Sequence, residues 1–286
     1  MRKTHALRVG PVGFRLRSEW AGPVALLRRL YAGYPVPEEG VAAATVRLEA
    51  GRPWRRWLRP AVHIRGDHII PDALPLPLAQ GLLAAEMGMN LQVALGWRQH
   101  LLLHASAVER DGRALLMVGA SGSGKSTLAA LLGESGWRLM GDEFAMIGPE
   151  NGKVHAFPRL VSLKNEGIAQ LAARVPPGRL GPEITGTPKG VIRHLVPRSD
   201  AVARMDEAAV PALLLFPAFG DAPGLRAVPP SEAFVRLTDS STNYVALGKP
   251  AFAALTRLVR DVPAVALGYG SSADALEAVE ALWAGL

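Results

Sequence analysis

One short glycine-rich stretch constrains the fold of this chain more than any other. Residues 119–126 fit the pattern G-x-x-x-x-G-K-[ST] at every fixed position and are followed by a threonine. An apolar run at residues 114–118 predicts a buried strand before it, and residues 127–132 predict a helix after it. The residues of the stretch and the threonine that follows it are Gly119, Ala120, Ser121, Gly122, Ser123, Gly124, Lys125, Ser126 and Thr127.

The residue types in this stretch suit a triphosphate. Glycines allow positive φ, so that consecutive backbone N–H groups can point into one concavity, and the helix that follows adds its positive end. Lys125 supplies a charge for the β- and γ-phosphates, and the hydroxyl of Ser126 completes the shell of a magnesium ion. The sequence therefore predicts a site for ATP and Mg²⁺, the alternative being a glycine-rich turn that binds nothing.

Composition narrows the class of protein. The chain has 286 residues, of which 49% are hydrophobic, enough for one large α/β domain or two small ones. It has no cysteine, which excludes disulfides and thiolate metal sites. Its formal charge of +7 is spread along the chain without a nucleic-acid-binding motif. We expect an anionic ligand such as a nucleotide, with an acidic protein partner as a further option, and no nucleic acid.

Two observations bear on location. Residues 1–10 are basic at their start but lack the uninterrupted apolar region of a signal peptide. Residues 73–97 are the most apolar stretch, but polar residues interrupt them, which favours burial in the protein over membrane insertion. We expect a cytoplasmic protein without a membrane partner.

The first third of the chain predicts a small α+β segment. Residues 12–16 and 44–48 are typical of strands, residues 20–31 and 78–97 of helices. Met87 and Met89 in the second helix are expected to pack in the core. Residues 53–57 mix tryptophan with arginine, which favours a half-exposed strand over a binding box.

Residues 100–143 predict strands around the glycine-rich stretch. Residues 100–109 are typical of a strand carrying His104, and residues 110–113 of a hairpin turn. Gly136 should end the helix, and residues 137–140 should form a strand that ends at Asp142 and Glu143. Ligands bind at the carboxyl ends of strands in α/β sheets, so these carboxylates should lie near the glycine-rich stretch. There they could hold magnesium or accept a proton; the alternative is a solvated turn.

The second half of the chain gives weaker signals. We expect a strand at residues 154–161, a helix at residues 163–173, and a glycine- and proline-rich loop at residues 176–189 that could close over a substrate. Residues 210–216 and 262–267 predict strands, and residues 251–260 and 272–286 predict helices. No repeat or linker is evident, which favours one compact domain over residues 1–286, with residues 1–98 as an α+β segment and residues 99–286 as the nucleotide-binding core.

The order of His104, the glycine-rich stretch and residues 136–143 resembles the catalytic core of bacterial HPr kinase/phosphorylase, in particular the divergent HPr kinase-related proteins. The resemblance implies an α/β phosphate-loop kinase core with a mixed sheet, and a homo-oligomer is possible. It implies that Lys125 and Ser126 engage phosphates and metal, and that Asp142 or Glu143 takes the proton of a serine, Asp142 also being a metal ligand. His104 would tune that carboxylate, unless it is an ordinary strand histidine.

Glu143 stands where that family usually has a second aspartate, and the chain departs from the family in two further places. The glutamate-x-arginine-glycine signature is absent, and residues 162–166 stand nearest to it, where Lys164 could replace the basic group. The missing glutamate leaves the metal site and the reverse phosphorylase reaction open. The arginine-bearing substrate loop is also unmatched, although Lys189, Arg193 and His194 could do its work; a solvated basic loop is the alternative.

The resulting prediction is an ATP- and magnesium-dependent kinase that transfers the γ-phosphoryl group to a hydroxyl, favouring a serine of a protein or peptide. Phosphorylation of a small-molecule hydroxyl is the first alternative. A nucleotide-binding regulator without transferase activity is the second.

Overall fold

The structure is a computed structural model and describes residues 3–38 and 41–286; the first two residues of the basic N-terminal segment lie outside these ranges. Up to residue 97 the elements are β1 (Thr4–Val9), β2 (Val12–Ser18), α1 (Ala21–Leu30), β3 (Ala44–Ala50), β4 (Ala61–Gly66), β5 (Leu76–Pro77) and α2 (Gly81–Gly96). From there to residue 172 they are β6 (Leu101–Leu103), β7 (Ala105–Arg110), β8 (Arg113–Val118), α3 (Lys125–Glu134), β9 (Arg138–Gly141), β10 (Ala145–Ile147), β11 (Val154–His155), β12 (Val161–Lys164) and α4 (Glu166–Ala172). The rest comprises β13 (Ile184–Thr187), β14 (Gly190–Leu195), α5 (Ser199–Ala203), β15 (Val210–Phe219), β16 (Gly224–Ala227), α6 (Pro230–Ser240), α7 (Tyr244–Leu247), α8 (Lys249–Asp261), β17 (Ala264–Tyr269) and α9 (Ser272–Ala284). None of the helices in the described ranges combines the length and the apolarity that crossing a membrane requires.

A five-stranded sheet in the order β1-β2-β3-β4-β5 forms the first part of the chain, with α2 packed on β3 and β4. The side chains of β2 alternate between the two faces of the sheet: Phe14 and Leu16 are buried, while Arg15 and Arg17 are exposed. One face of the sheet is therefore apolar and packs against the rest of the protein. In α2, Met89 is fully buried, but Met87 is 46% exposed, so the expected packing role is correct for Met89 only.

A six-stranded sheet in the order β16-β17-β15-β8-β7-β9 lies at the centre of the second part. Strands β17, β15 and β8 are parallel, and β7 runs antiparallel to both β8 and β9. Leu115 and Met117 pack into one apolar cluster and Leu116 and Val118 into another, on opposite faces, which is why β8 is a continuous apolar run. The chain is thus mixed α/β with a mixed sheet, as the sequence predicted.

The predicted strand over residues 100–109 is two strands. Strand β6 pairs with β10, and β7 pairs with β8. His104 stands between them, and its backbone N–H donates to the carbonyl of Ser240 at 2.8 Å. The chain therefore passes from one sheet to another at His104, and the prediction that His104 lies within a strand was wrong.

The segment after β10 also differs from the prediction. The expected strand at residues 154–161 stops at His155, since Pro158 has no N–H to donate and Phe157 pairs only in an isolated bridge with Gly141. Leu163 and Lys164 belong to β12, which pairs with β14, so the helix expected from residue 163 begins only at residue 166.

Two further segments have a secondary structure that differs from the prediction. Residues 184–195 form the hairpin β13–β14, although residues 176–189 were expected to form a glycine- and proline-rich loop; the positive φ of Gly190 (+80°) allows the hairpin turn. Residues 53–57, expected to form a strand, begin with a 3₁₀ helix (Pro53–Arg56) that leaves Trp54 and Trp57 exposed. Pro53 suits the first turn of such a helix and cannot donate in a ladder. Helix α6 was not predicted.

A buried histidine beside β6 should make stability depend on pH. The indole N–H of Trp97 donates to Nδ1 of His100 at 2.9 Å, and burial together with the nearby His155 lowers the pKa of His100 to about 4. An unfolded chain protonates this group near its ordinary value of 6.5, so the unfolded state binds more protons between pH 6.5 and 4, and stability falls as pH falls through that window.

We therefore expect His100→Asn, which keeps an acceptor for Trp97, to reduce the loss of Tm between pH 6.5 and 4, measured for each protein relative to its own Tm at pH 7.5. The loss is reduced rather than abolished because His5, His155 and His194 also have lowered pKa values. Thermal denaturation across this range measures the effect. Equal slopes for wild type and variant would contradict it.

Candidate functional site

Several strand ends meet at one edge of the six-stranded sheet. Strands β8, β9, β15 and β17 end at this edge, and β7 begins there, since Ala105 pairs with Val118. A cleft of about 530 Å³ lies at this edge, within the usual size range of small-molecule sites. It is lined by His104, Ser121, Gly122, Gly124, Lys125, Ser126, Thr127, Leu128, Asp142, Glu143, Ser162, Lys164, Asn165, Glu166, Gly167, Gln170, Lys189, Phe219, Tyr269, Ser272 and Ala275.

The glycine-rich loop, residues 119–124, joins β8 to α3. Gly122 and Gly124 have φ of +91° and +93°, in the region that side chains disfavour. A Cβ on Gly124 would also lie 1.9 Å from the hydroxyl oxygen of Tyr269. Glycine at position 124 is thus required by both backbone conformation and space.

The Lys125 side chain folds back over this loop. Its Nζ donates to the carbonyl oxygens of Gly119 at 2.6 Å and Ala120 at 2.9 Å, and the residue is only 8% exposed. Burial lowers the pKa of Lys125, and the charges of Asp142 and Glu143 oppose that shift. The ammonium group is therefore held within the loop, on the wall of the cleft.

Other residues of the stretch fix the loop itself. The Oγ atom of Ser123 is buried without a hydrogen-bond partner, whereas its carbonyl accepts from the Tyr269 hydroxyl at 3.1 Å. Thr127 packs against α4, because a Cβ on Gly167 would lie 2.6 Å from its Oγ1. The loop is thus supported by β17 on one side, and α3 by α4.

Asp142 is the most enclosed of the acidic side chains in the cleft, at 1% exposed. Its Oδ1 accepts from the Ser106 hydroxyl at 2.6 Å and its Oδ2 from the Ser162 backbone N–H at 3.4 Å. The side chain of Ser126, on the first turn of α3, lines the same cleft. Burial and the charge of Glu143 raise the pKa of Asp142, although these hydrogen bonds oppose the rise. A carboxylate and a hydroxyl, Asp142 and Ser126, thus line one cleft beside the first turn of α3.

Glu143 faces the cleft beside His104. The His104 Nε2 lies 3.5 Å from the Glu143 Oε2, and the glutamate side chain is 33% exposed. The hydrogen bond and charge of His104, with Lys164 nearby, lower the pKa of Glu143 to about 2. Its backbone has φ of +75°, a strained conformation for a residue with a side chain. Asp142 and Glu143 are therefore adjacent in sequence but differ in burial and in the direction of their pKa shifts.

The four basic residues expected at the substrate divide into two pairs. Lys164, at the end of β12, and Lys189, at the tip of the β13–β14 hairpin, line the cleft. The Arg193 Nε instead donates to the carbonyl of Gly181 at 2.7 Å, and His194 is 2% exposed with its pKa lowered by burial. Pairing of β14 with β12 fixes these two residues away from the cleft lining.

Several lining residues were not singled out from the sequence. Phe219 and Tyr269 are the last residues of β15 and β17, so the carboxyl-end rule that located Asp142 could have found them. Gln170 and Glu166 lie on α4, whose start was misplaced. Ser106, on β7, does not line the cleft but hydrogen-bonds to Asp142, and it carries no sequence signal.

The donor set fits magnesium held together with phosphates. In the described ranges no group of three or more histidine, aspartate or glutamate side chains is placed to hold a metal ion by itself. Mg²⁺ at phosphate sites is bound through one or two carboxylates in addition to phosphate oxygens and water. Asp142 and Ser126, which line the cleft beside the glycine-rich loop, could supply oxygen ligands of this kind.

Comparison with known proteins gives limited similarity. A protein-family model described as SynChlorMet cassette protein ScmC matches residues 85–193. Among solved structures, the HPr(Ser) kinase/phosphatase from Coxiella burnetii matches with 15% sequence identity and a TM-score of 0.30, over 64% of this chain and 88% of that chain. No curated protein matches.

Proposed function

We propose that this chain is an ATP- and magnesium-dependent phosphotransferase that transfers the γ-phosphoryl group to a hydroxyl, as the sequence resemblance to HPr kinase-related proteins implies. The observation that carries the proposal is that one cleft contains the glycine-rich loop, Ser126 and Asp142, and the Glu143–His104 pair.

Phosphate binding follows from the loop. Its N–H groups and the start of α3 form an electropositive concavity, and Lys125 adds a positive charge that can exchange its two carbonyl partners for phosphate oxygens. Asp142 and Ser126 would hold the magnesium ion, which neutralises negative charge on the phosphate oxygens.

Glu143 is the better candidate for the base of the pair. Both oxygens of Asp142 accept hydrogen bonds and the residue is enclosed, whereas the Glu143 side chain is partly exposed in the cleft. The low pKa keeps Glu143 ionised, and phosphoryl transfer through a loose transition state demands little basicity. Glu143 accepts the proton of the acceptor hydroxyl, and His104 orients it through their contact.

The acceptor side of the cleft carries Lys164 and Lys189, which can stabilise the charge on the transferred group. Lys189 stands at the tip of a hairpin, where it can contact an acceptor larger than a small molecule. We propose a serine of a protein or peptide as the acceptor.

The test is transfer from γ-labelled ATP to the components of a lysate, with and without Mg²⁺, followed by separation of protein, peptide and small-molecule fractions. We expect magnesium-dependent labelling of a protein or peptide at serine that is absent from the lysate alone and appears when the wild type is added, and that is at least about a hundredfold weaker with Lys125→Met. Label in the small-molecule fraction alone would move the acceptor to that class. ATP binding without labelling of any fraction would favour a nucleotide-dependent regulator and overturn the proposal.

A further inference from the structure

One end of the cleft is not used by the proposed transfer chemistry. In the sheet order, Asp142 follows β9, two strands to one side of β8, whereas Phe219 and Tyr269 end strands one and two places to the other side. The ends of β9 and β17 are four strand spacings apart, on the order of 19 Å. The glycine-rich loop lies between them, so a ligand whose phosphates occupy that loop and face Asp142 extends its other end towards Phe219 and Tyr269.

Aromatic side chains form the wall at that end. Phe219 is 45% exposed although its ring lies 5.6 Å from that of Tyr269, with an interplanar angle of 60°. Tyr269 is itself 3% exposed and is held by its hydrogen bond to the Ser123 carbonyl. The buried Tyr269 ring thus supports the Phe219 ring, which remains accessible in the cleft. An accessible aromatic ring of this kind offers a stacking surface for a planar ligand.

A polar pair lies in the same cleft. The Ser272 hydroxyl donates to Oε1 of Gln170 at 2.6 Å, which orients the amide so that its NH₂ group remains a donor. Both residues line the cleft together with Phe219. Ring nitrogens of a purine are acceptors along the edge of a planar system, so a donor beside a stacking surface matches that chemistry.

We propose that this end of the cleft is the nucleobase subsite, in which a purine stacks on Phe219 and presents its edge to the amide of Gln170. The inference rests on the proposed function, because it takes the phosphates of the same nucleotide to lie on the glycine-rich loop.

The test compares a ligand with a base to one without. Titration calorimetry measures Kd for Mg·ATP and for magnesium-bound inorganic tripolyphosphate, on wild type, Phe219→Ala and Phe219→Tyr. We expect Phe219→Ala to raise the Kd of ATP at least about fivefold and to leave that of tripolyphosphate unchanged. Phe219→Tyr should keep the wild-type affinity for ATP. Wild type should also bind ATP more tightly than CTP, and Phe219→Ala should lose that preference.

Phe252→Ala is the matched control, because Phe252 is 55% exposed on α8 and does not line the cleft. It should change neither Kd. Equal weakening of ATP and tripolyphosphate by Phe219→Ala would show that Phe219 only supports the loop, and an unchanged Kd for both would show that no base stacks there; either result overturns the subsite.

Failure of the proposed function gives a different pattern. A wild type that binds neither ATP nor tripolyphosphate overturns both proposals. A wild type that binds ATP through Phe219 but labels no acceptor supports the subsite and refutes only the transfer reaction.

Discussion

Replacing Lys125 by methionine is expected to lower kcat/KM for phosphoryl transfer at least about a hundredfold, or about 2.7 kcal/mol of transition-state stabilisation. The side chain lies in the loop with its ammonium on the cleft wall, so the change removes the charge next to the proposed phosphates. Methionine is preferable to alanine because Lys125 is only 8% exposed, and its aliphatic stem fills space that alanine would leave empty. We expect Tm to change by only a few degrees.

Lys153→Met provides the matched control for this experiment, since Lys153 is exposed and does not line the cleft. Steady-state kinetics should show no change for it. Wild-type turnover by Lys125→Met would refute the assignment of the glycine-rich loop as the phosphate site.

The core of the candidate site could be predicted because its signals are local. Residues 114–143 encode a buried strand, a turn that needs positive φ, a helix, and a stop at Gly136, whose φ is +98°. Each step depends on neighbours in sequence. The structure accordingly has β8, α3 and β9 where the sequence predicted them.

The remaining errors concern pairing between distant segments. Nothing near His104 in sequence indicates that its N–H bonds to Ser240, or that β6 and β7 join different sheets. The hairpin β13–β14 forms from a stretch rich in glycine and proline because β14 pairs with β12, which lies earlier in the chain. Strand formation there depends on long-range pairing, which local propensity does not record.

Within the site, the sequence predicted that the carboxylates of Asp142 and Glu143 lie together but could not assign a different role to each. The distinction depends on Ser106, 36 residues before Asp142, and on His104, which lies beside Glu143 because β7 begins at the edge where β9 ends. Phe219 and Tyr269 reach the cleft because β15 and β17 pair in parallel, so their positions at the strand ends, and not their residue types, could have indicated their place in the site.

Replacing each of the two acidic residues, Asp142 and Glu143, by its amide should affect a different part of the reaction. We expect Glu143→Gln to keep the Kd of Mg·ATP within roughly tenfold while lowering the rate of transfer about a hundredfold or more, because it removes the proposed proton acceptor and not a phosphate or metal contact. Asp142→Asn should instead raise the Mg²⁺ concentration needed for half-maximal activity, because the amide replaces a proposed anionic ligand beside Ser126 with a neutral one. Titrations of Mg²⁺ and ATP under single-turnover conditions distinguish the two effects.

Glu166→Gln is the control for general charge, since Glu166 lines the same cleft without a place in the proposed transfer. It should keep both the rate of transfer and the Mg²⁺ requirement within about threefold, the range of a weak, solvent-screened interaction.

Three results would contradict these roles. If Glu166→Gln lowers the rate of transfer as much as Glu143→Gln does, the rate depends on the negative potential of the cleft and no single base has been identified. If Asp142→Asn slows transfer at saturating Mg²⁺ and Glu143→Gln does not, the roles are reversed and the buried carboxylate is the base. Normal transfer by both amide variants would contradict the kinase proposal for this cleft and would favour a nucleotide-dependent regulator, because such a protein needs the phosphate loop but not a proton acceptor beside it.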